Sequence, residues 1–253
     1  MGMARSAAEL LVAHRPGTAL TGAGVSVESG VPDFRSPGGI WETFDPDEYA
    51  TAEALAFDPD KTWVFFASLF DLVGKVKPGA AHRALADLGT LGVLRTVVTQ
   101  NIDGLHQAAG SADVVEYHGG PSLVCMGCGQ PVPPLDERQL EAARRGRAPR
   151  HACGGIVRPA VVLFGEEIPA EAMRRSIEAV HASHSLLVAG TSAQVWPAAG
   201  LPRLAAQQGA PVIEVNLEET PVTRIAAISI RGRAGEVLPE IAWHVRRLLG
   251  LGG

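Results

Sequence analysis

The sequence has little cysteine, no long apolar run and no excess of positive charge. Its three cysteines among 253 residues are an odd number clustered at Cys125, Cys128 and Cys153, which suits metal binding better than a disulfide framework. A formal net charge of −5 disfavours electrostatic capture of nucleic acid. No stretch reaches the roughly 18 apolar residues of a membrane span, and the N-terminus lacks the apolar region of a signal peptide. We therefore expect a cytoplasmic protein with no membrane partner and no specific nucleic-acid partner.

The apolar residues that are present indicate an α/β protein. Hydrophobic residues make up 46% of the chain and charged residues 19%, which allows one large domain with a smaller insertion. A β-branched run at Val93–Thr99 predicts a buried parallel strand, and helical periodicity at Ala80–Leu91 predicts a helix before it. Because strands and helices alternate along the chain, we predict a mostly parallel, doubly wound sheet whose ligands bind beyond the carboxyl ends of its strands.

A glycine-rich turn follows the first predicted strand, in the segment TGAGVSVESGVPDFR at 21–35. Gly22 and Gly24 would let the main chain approach a pyrophosphate, because a Cβ there would block the approach. The turn is not the usual dehydrogenase fingerprint, since Val27 stands where GxGxxG has its third glycine. Taken alone, such a turn also fits α/β proteins in which it serves packing only.

Six blocks in order identify a family resemblance: GAGVSVESGVPDFR at 22–35, TQNIDGLHQAAG at 99–110, EYHGG at 116–120, RPAVVLFGE at 158–166, GTS at 190–192 and VNLE at 215–218. Together they resemble the sirtuins, which are NAD-dependent protein deacylases. The match covers almost the whole chain. The later segments GTSAQVWPAAGLP and RGRAGEVLPEI are most similar to a bacterial branch related to mitochondrial desuccinylases.

The resemblance implies an α/β fold with a Rossmann-like, doubly wound parallel sheet and a smaller lobe. We predict a Rossmann-like NAD-binding domain over 1–36, 79–120 and 158–253, a helical insertion over 37–78 and a zinc-ribbon-like module over 121–157. The implied activity transfers the acyl group of a modified lysine to ADP-ribose and releases nicotinamide. The expected partners are acylated-lysine proteins or peptides, and we expect a monomer.

The resemblance also assigns the chemistry to particular side chains. His118 would act as the general base, because a neutral imidazole can take a proton from a ribose hydroxyl near pH 7. Asn101 and Asp103 would hydrogen-bond the nicotinamide carboxamide or a bound water and help to twist the glycosidic bond toward cleavage. Another interpretation of Asp103 is a cap of the helix that starts at Gly104.

NAD contacts are carried over from the family motifs in the same way. Arg35 would lie near the phosphates and ribose, Phe34 would shield the reactive centre, and Ala234 would lie where the last loop closes on adenine. The predicted cofactor-binding residues are Gly22, Ala23, Gly24, Ser26, Asp33, Phe34, Arg35, Trp41, Gln100, Asn101, Ile102, Asp103, Gly190, Thr191, Ser192, Asn216, Leu217, Glu218 and Ala234.

The acylated peptide is expected to add its backbone as a strand to residues 161–166. Val162 and Phe164 would line the acyl-lysine tunnel, and Gly165 and Glu166 complete this predicted substrate segment. Desuccinylase-type sirtuins bind the distal carboxylate with a YxxR pair. Aligning the segment KPGAAH at 77–82 with the family places Phe66 and Leu69 at those positions. Because a buried carboxylate without a charge partner is costly, we predict activity on acetyl or longer apolar acyl groups rather than on succinyl or malonyl groups.

A second departure from the family concerns the metal site. Sirtuins usually hold a structural zinc with two CxxC pairs, and here Arg150 replaces the first cysteine of the second pair. Arginine cannot ligate zinc, but His151 would complete a Cys3His set with Cys125, Cys128 and Cys153. The sequence leaves open whether zinc binds through His151 or a water, or whether the site is weak or empty.

Other functions remain open on the sequence alone. The same pocket could support mono-ADP-ribosyl transfer to protein, and a non-catalytic NAD or ADP-ribose sensor would also need a dinucleotide site. A conventional nicotinamide dehydrogenase is disfavoured by the missing GxGxxG turn.

Overall fold

The computed structural model describes residues 2–34 and 36–251, in which helices and strands alternate along most of the chain. The strands are β1 (Gly17–Thr21), β2 (Leu94–Thr99), β3 (Val114–Glu116), β4 (Gly119–Cys125), β5 (Pro131–Val132), β6 (Val157–Val161), β7 (Leu186–Ala189), β8 (Val212–Asn216) and β9 (Ile228–Arg231). The helices are α1 (Met3–Ala13), α2 (Pro46–Tyr49), α3 (Ala52–Phe57), α4 (Pro59–Val73), α5 (Ala80–Thr90), α6 (Leu105–Ala108), α7 (Glu137–Arg144), α8 (Ala170–His181), α9 (Leu201–Gln207) and α10 (Ala234–Leu248).

The chain divides into two compact units. The first lies within residues 1–31, 77–117 and 170–253, and the second within residues 32–76 and 118–169. Residues 158–169, which the sequence groups with the dinucleotide-binding domain, belong to the second unit by their contacts, because β6 pairs with β4. The function of each unit stays a prediction.

The first unit is built on a six-stranded parallel sheet with the order β3-β2-β1-β7-β8-β9. Helices α1, α5 and α10 cover one face and share a buried apolar core with strand residues such as Ala19, Leu187 and Ile213. On the opposite face, the Thr18 hydroxyl donates to the carbonyl of Ala179 on α8. Helices on both faces confirm the predicted doubly wound α/β fold.

The second unit combines helices with a small antiparallel sheet of order β5-β4-β6. The buried Trp63 of α4 donates from Nε1 to the carbonyl of Val157 on β6, at 2.7 Å. Arg144 of α7 binds both carboxylate oxygens of Asp71 on α4, at 2.6 and 2.8 Å. These contacts join the helical part of the unit to the segment that carries the cysteines.

Three-ten turns lie at Ala23–Val25, Val27–Ser29, Ile40–Glu42 and Ala198–Gly200. Among the described helices, none combines the length and the apolar character needed to cross a lipid bilayer.

Candidate functional site

Polar turns follow four strands at one edge of the six-stranded sheet. The segments 22–26, 100–103 and 190–192 come directly after β1, β2 and β7, and the segment 216–218 begins with the last residue of β8. Because the strands are parallel, these turns gather at the same edge. The edge therefore holds most of the cofactor-binding residues predicted for the first unit.

The glycines of this edge allow two turns to pack backbone against backbone. A Cβ at Gly24 would come within 2.8 Å of the Cα of Gly190, and a Cβ at Gly190 would come within 2.6 Å of the Val25 nitrogen. The N–H of Gly24 donates to the carbonyl of Gly190 at 2.8 Å, and Gly190 has a φ of +60°. Close packing therefore already requires glycine here, and the additional role toward a pyrophosphate stays a prediction.

Ser26, Asn101 and Asp103 form a buried hydrogen-bonded group in the first unit. The Ser26 hydroxyl donates to Oδ2 of Asp103 at 2.7 Å. Nδ2 of Asn101 donates to Oγ of Ser26 at 3.0 Å and to the carbonyl of Gly22 at 3.1 Å. Oδ1 of Asp103 accepts from the N–H of Leu105 on α6, at 3.0 Å. Asp103 therefore contacts both the polar group and the start of the helix, so the two interpretations of this residue do not exclude each other.

Two buried histidines adjoin this group, and sequence reasoning gave neither a role. Nδ1 of His82 accepts from the N–H of Gly79, so Nε2 carries the proton and lies 3.3 Å from Oγ of Ser26. Nε2 of His106 lies 2.9 Å from Oγ1 of Thr21. Burial lowers the pKa of His106 to about 3, and burial also lowers the pKa of His82 against the opposing effect of the Asp103 carboxylate. Both histidines are therefore neutral at physiological pH.

His82 ends the KPGAAH segment and His106 lies within TQNIDGLHQAAG, so both were inside segments that the sequence analysis quotes. The sequence alone did not show that these two histidines are buried, so nothing distinguished them from surface histidines.

Amide side chains fasten the loop after β7. Nε2 of Gln100 donates to Oγ1 of Thr191 at 2.9 Å, and Nδ2 of Asn216 donates to the Thr191 carbonyl at 2.7 Å. Ser192 is exposed, and Leu217 is 64% exposed. The remaining predicted residues of this unit are Ala23 and Ile102, which are half-buried, Glu218, which is exposed, and Ala234, which is buried at the start of α10.

The second unit contains the predicted base. His118 is half-buried, and its carbonyl accepts from the N–H of Val162 at 2.8 Å. The next residue, Gly119, has a φ of +74°, and a Cβ there would overlap the carbonyl oxygen of Ala160. Glycine is therefore required beside His118, while the catalytic role of His118 stays a prediction.

Aromatic rings surround Trp41 within the second unit. Its ring centroid lies 5.1 Å from that of Phe34, 5.9 Å from that of Phe65 and 6.2 Å from that of Phe164. Asp33 accepts from the N–H and the hydroxyl of Ser36 at 2.7 and 2.6 Å. Arg35, predicted to lie near the phosphates, falls outside the described residues.

The predicted substrate segment is already paired at several points. Phe164, which is 46% exposed, exchanges 2.9 Å backbone hydrogen bonds with Ala50 and Ala52. Glu166 accepts from Nη1 and Nη2 of Arg158 and from the N–H of Leu163. Burial alone would raise the pKa of Glu166, but these donors hold it below its usual value. The Glu166 side chain therefore has a structural partner, and Gly165 beside it has a φ of +87°.

The remaining predicted substrate residues differ in burial. Phe66 is only 1% exposed and packs edge-on against Trp63, with centroids 5.6 Å apart. Leu69 and Val162 are half-buried.

Three cysteines and one histidine converge in the second unit. The sulfurs of Cys125, Cys128 and Cys153 and Nδ1 of His151 all lie within 4.8 Å of one another. The separations are 3.5 Å for Cys125–Cys153, 3.4 Å for Cys128–His151 and 3.3 Å for His151–Cys153. Tetrahedral ligands at the usual zinc distances stand about 3.5–3.8 Å apart. The four groups therefore fit zinc, and the guanidinium of Arg150 donates instead to the carbonyl of Gly154.

Comparisons with known proteins agree with this arrangement. A family model described as Sir2 family matches residues 22–197. The NAD-dependent protein deacylase 2 of Pyrobaculum aerophilum is 47% identical over 243 residues, which cover 96% of each chain. A solved complex of a Sir2 homologue with NAD has a TM-score of 0.87 at 40% identity, covering 96% of this chain and 94% of that chain. The solved structure of Sir2Af2 bound to a myristoylated histone peptide has a TM-score of 0.80 at 36% identity, covering 98% of each chain. This chain therefore belongs to the Sir2 family, the sirtuins.

Proposed function

We propose that this protein is an NAD-dependent protein-lysine deacylase that transfers the acyl group to ADP-ribose and releases nicotinamide. The observation that carries the proposal is the buried Ser26–Asn101–Asp103 group at the carboxyl edge of the first sheet. It is supported by membership of a family in which a similar relative is named a deacylase and a solved relative binds NAD. We assign NAD binding to the first unit, together with Asp33, Phe34, Arg35 and Trp41.

Asn101 is the residue best suited to recognise the nicotinamide carboxamide. Both hydrogens of its Nδ2 are used, by Gly22 and Ser26. Its Oδ1 is therefore the atom offered to the amide N–H of a ligand. Asp103 holds Ser26, which in turn holds Asn101, so the carboxylate acts on the orientation of this acceptor.

We assign His118 as the general base. When bound, NAD would supply a ribose carbon that becomes electrophilic as the bond to nicotinamide breaks, and the carbonyl oxygen of the acyl-lysine would form the new bond to that carbon. The imidazole of His118 would take a proton from a ribose hydroxyl, which would raise the nucleophilicity of that oxygen toward the acyl carbon. The acylated peptide would pair with main-chain groups of residues 161–166 that are still available. The N–H groups of Val162, Leu163, Phe164 and Glu166 are not among them, because each already has an acceptor within the unit.

The acyl pocket is proposed to be apolar. Phe66 and Leu69 replace the tyrosine and arginine of the desuccinylase pattern, and the rings of Trp41, Phe65 and Phe164 add apolar surface in the same unit. The myristoylated peptide in a solved relative supports a preference for uncharged acyl chains. Placement in a bacterial branch remains a proposal from the later motifs, since the relative named above comes from an archaeon.

Cys125, Cys128, Cys153 and Nδ1 of His151 would hold a structural zinc. Four protein ligands leave no open coordination position, so the metal would stabilise the small sheet and would not activate substrate.

One assay tests the proposed activity. The protein is incubated with NAD and an acetyl-lysine peptide, and nicotinamide and O-acetyl-ADP-ribose are quantified. Wild type should form both products in equal amounts, and His118→Ala should lose deacylation while keeping its circular-dichroism spectrum. Radiolabel from NAD that stays on protein would indicate ADP-ribosyl transfer instead. Failure of wild type to release nicotinamide would contradict the proposal.

A further inference from the structure

A carboxylate from the turn after β1 caps the last helix of the first unit. Glu28 lies in the three-ten turn Val27–Ser29, directly after the glycine-rich segment 22–26. Its Oε2 accepts a 2.5 Å hydrogen bond from the N–H of Gly235, which is 207 residues away in sequence. Gly235 is the second residue of the 15-residue helix α10. The contact therefore joins two distant segments at one point.

Helix α10 depends on this carboxylate for capping. In the described part of the chain, the N-cap residue Arg233 makes no side-chain hydrogen bond to the helix. The first N–H groups of a helix lack acceptors within the helix, and its amino end carries partial positive charge. Glu28 therefore satisfies one of these N–H groups and places a negative charge where the helix dipole favours it.

The same contact bears on why residue 235 is a glycine. A Cβ at this position would overlap Oε2 and the carboxyl carbon of Glu28, at 2.0 and 2.7 Å. Glycine is a poor helix former. The backbone of Gly235 does not explain its presence either, because its φ is not positive. Glycine at this position therefore leaves room for the Glu28 carboxylate where it lies, and a side chain here would displace it.

We propose that Glu28 is a positioning residue for NAD. Its carboxylate fixes the predicted phosphate-binding turn against the first turn of α10, whose first residue, Ala234, is assigned to adenine. The inference rests on the proposed function, which places NAD at this edge. Without the contact, the turn and the helix start lose their mutual constraint, so NAD binds more weakly while recognition of the acylated peptide is unchanged.

Steady-state kinetics of Glu28→Ala with NAD and an acetyl-lysine peptide test the proposal. We expect the KM for NAD to rise about three- to tenfold, as for loss of one ordinary solvent-exposed hydrogen bond, with kcat and the peptide KM within about twofold of wild type. Glu28→Gln keeps an acceptor oxygen and should recover most of the NAD affinity. Glu236→Ala is the matched control, because it removes an exposed carboxylate from the same first turn of α10.

A double-mutant cycle separates this role from general damage. Gly235→Ala should raise the KM for NAD in the wild-type background, because its Cβ displaces the carboxylate. In the Glu28→Ala background the same substitution should add no further increase. Equal effects of Gly235→Ala in both backgrounds, or an unchanged KM for NAD in Glu28→Ala, would overturn the proposal.

Calorimetric titration with NAD distinguishes this inference from the proposed function. A wild type that binds NAD without deacylating the peptide would contradict the activity, and the affinities of Glu28→Ala and Glu236→Ala would still decide the role of Glu28. A wild type that does not bind NAD would overturn both. Circular dichroism checks that each variant is folded. If Glu28→Ala does not fold, Glu28→Gln replaces it in the same measurements.

Discussion

Glu214 carries a buried carboxylate on β8, two residues before Asn216. It accepts from the hydroxyls of Thr220, Thr223 and Ser229 and from the guanidinium of Arg231. Burial alone would raise the pKa of Glu214, but these donors lower it below its ordinary value. The residue therefore ties the segment after β8, which contains Leu217 and Glu218, to the neighbouring strand β9.

The lowered pKa of Glu214 predicts an acid-dependent loss of stability. A carboxyl with a lower pKa in the folded than in the unfolded state contributes stability above its unfolded pKa, and this contribution is lost as pH falls through the folded pKa. Glu214→Gln should destabilise the protein by about 1–3 kcal/mol at pH 7 and flatten the decline toward pH 3. Urea unfolding of both proteins from pH 7 to pH 3 measures this. Parallel pH profiles would show that Glu214 is not the source.

Phe66 and Leu69 make a second prediction at the scale of single residues. Because the sequence provides no cation at these positions and an unpaired buried charge costs about 3–5 kcal/mol, kcat/KM for a succinyl-lysine peptide should be at least about tenfold below that for the acetyl-lysine peptide. A myristoyl-lysine peptide should be accepted. Rates on the three peptides of identical sequence measure the preference. Faster desuccinylation would mean that another residue supplies the charge partner or that the alignment is shifted.

At the level of whole elements, periodicity predicted the regular parts of the first unit well. The strand expected at Val93–Thr99 is β2, at Leu94–Thr99, and the helix expected at Ala80–Leu91 is α5, at Ala80–Thr90. Local sequence was sufficient there because each element buries one continuous apolar pattern. The close packing of Gly24 on Gly190 could not be predicted, since it joins turns that are remote in sequence.

The burial of His82 and His106 was beyond the sequence for a similar reason. Both lie in segments that match the family, but neither local pattern distinguishes a buried neutral histidine from an exposed one. Burial in the folded chain lowers their pKa values, and in the same fold Thr21, Ser26 and Gly79 come within hydrogen-bonding distance of their rings.

The segment that carries the cysteines makes a prediction of its own. His151→Ala should lower zinc affinity by more than about 100-fold, since even changes outside the ligand set cost about 10–100-fold. Arg150→Ala is the matched control, because Arg150 contacts the Gly154 carbonyl and supplies no ligand atom. Metal content and competition with a chromogenic chelator measure both. Tight zinc binding by His151→Ala would assign the fourth position to a water or another donor.

For the molecule as a whole, the division into two units predicts which part of the chain loses stability when the metal is removed. All four candidate ligands lie within residues 118–169. Chelation should therefore accelerate amide hydrogen exchange in β4, β5, β6 and α7 and leave the exchange of the six-stranded sheet nearly unchanged. Mass spectrometry of peptic fragments, with and without chelator, reads this out. Uniform acceleration across both units would contradict it.

The backbone packing at Gly22, Gly24 and Gly190 also has a practical consequence for protein engineering. Each turn fills the space that a side chain of the other would need, so a single substitution at any of these glycines forces the turns apart. A combinatorial library that aims to alter nucleotide preference should therefore keep the three glycines fixed. Diversity belongs at Ser192 and Leu217, whose side chains face solvent at the same edge.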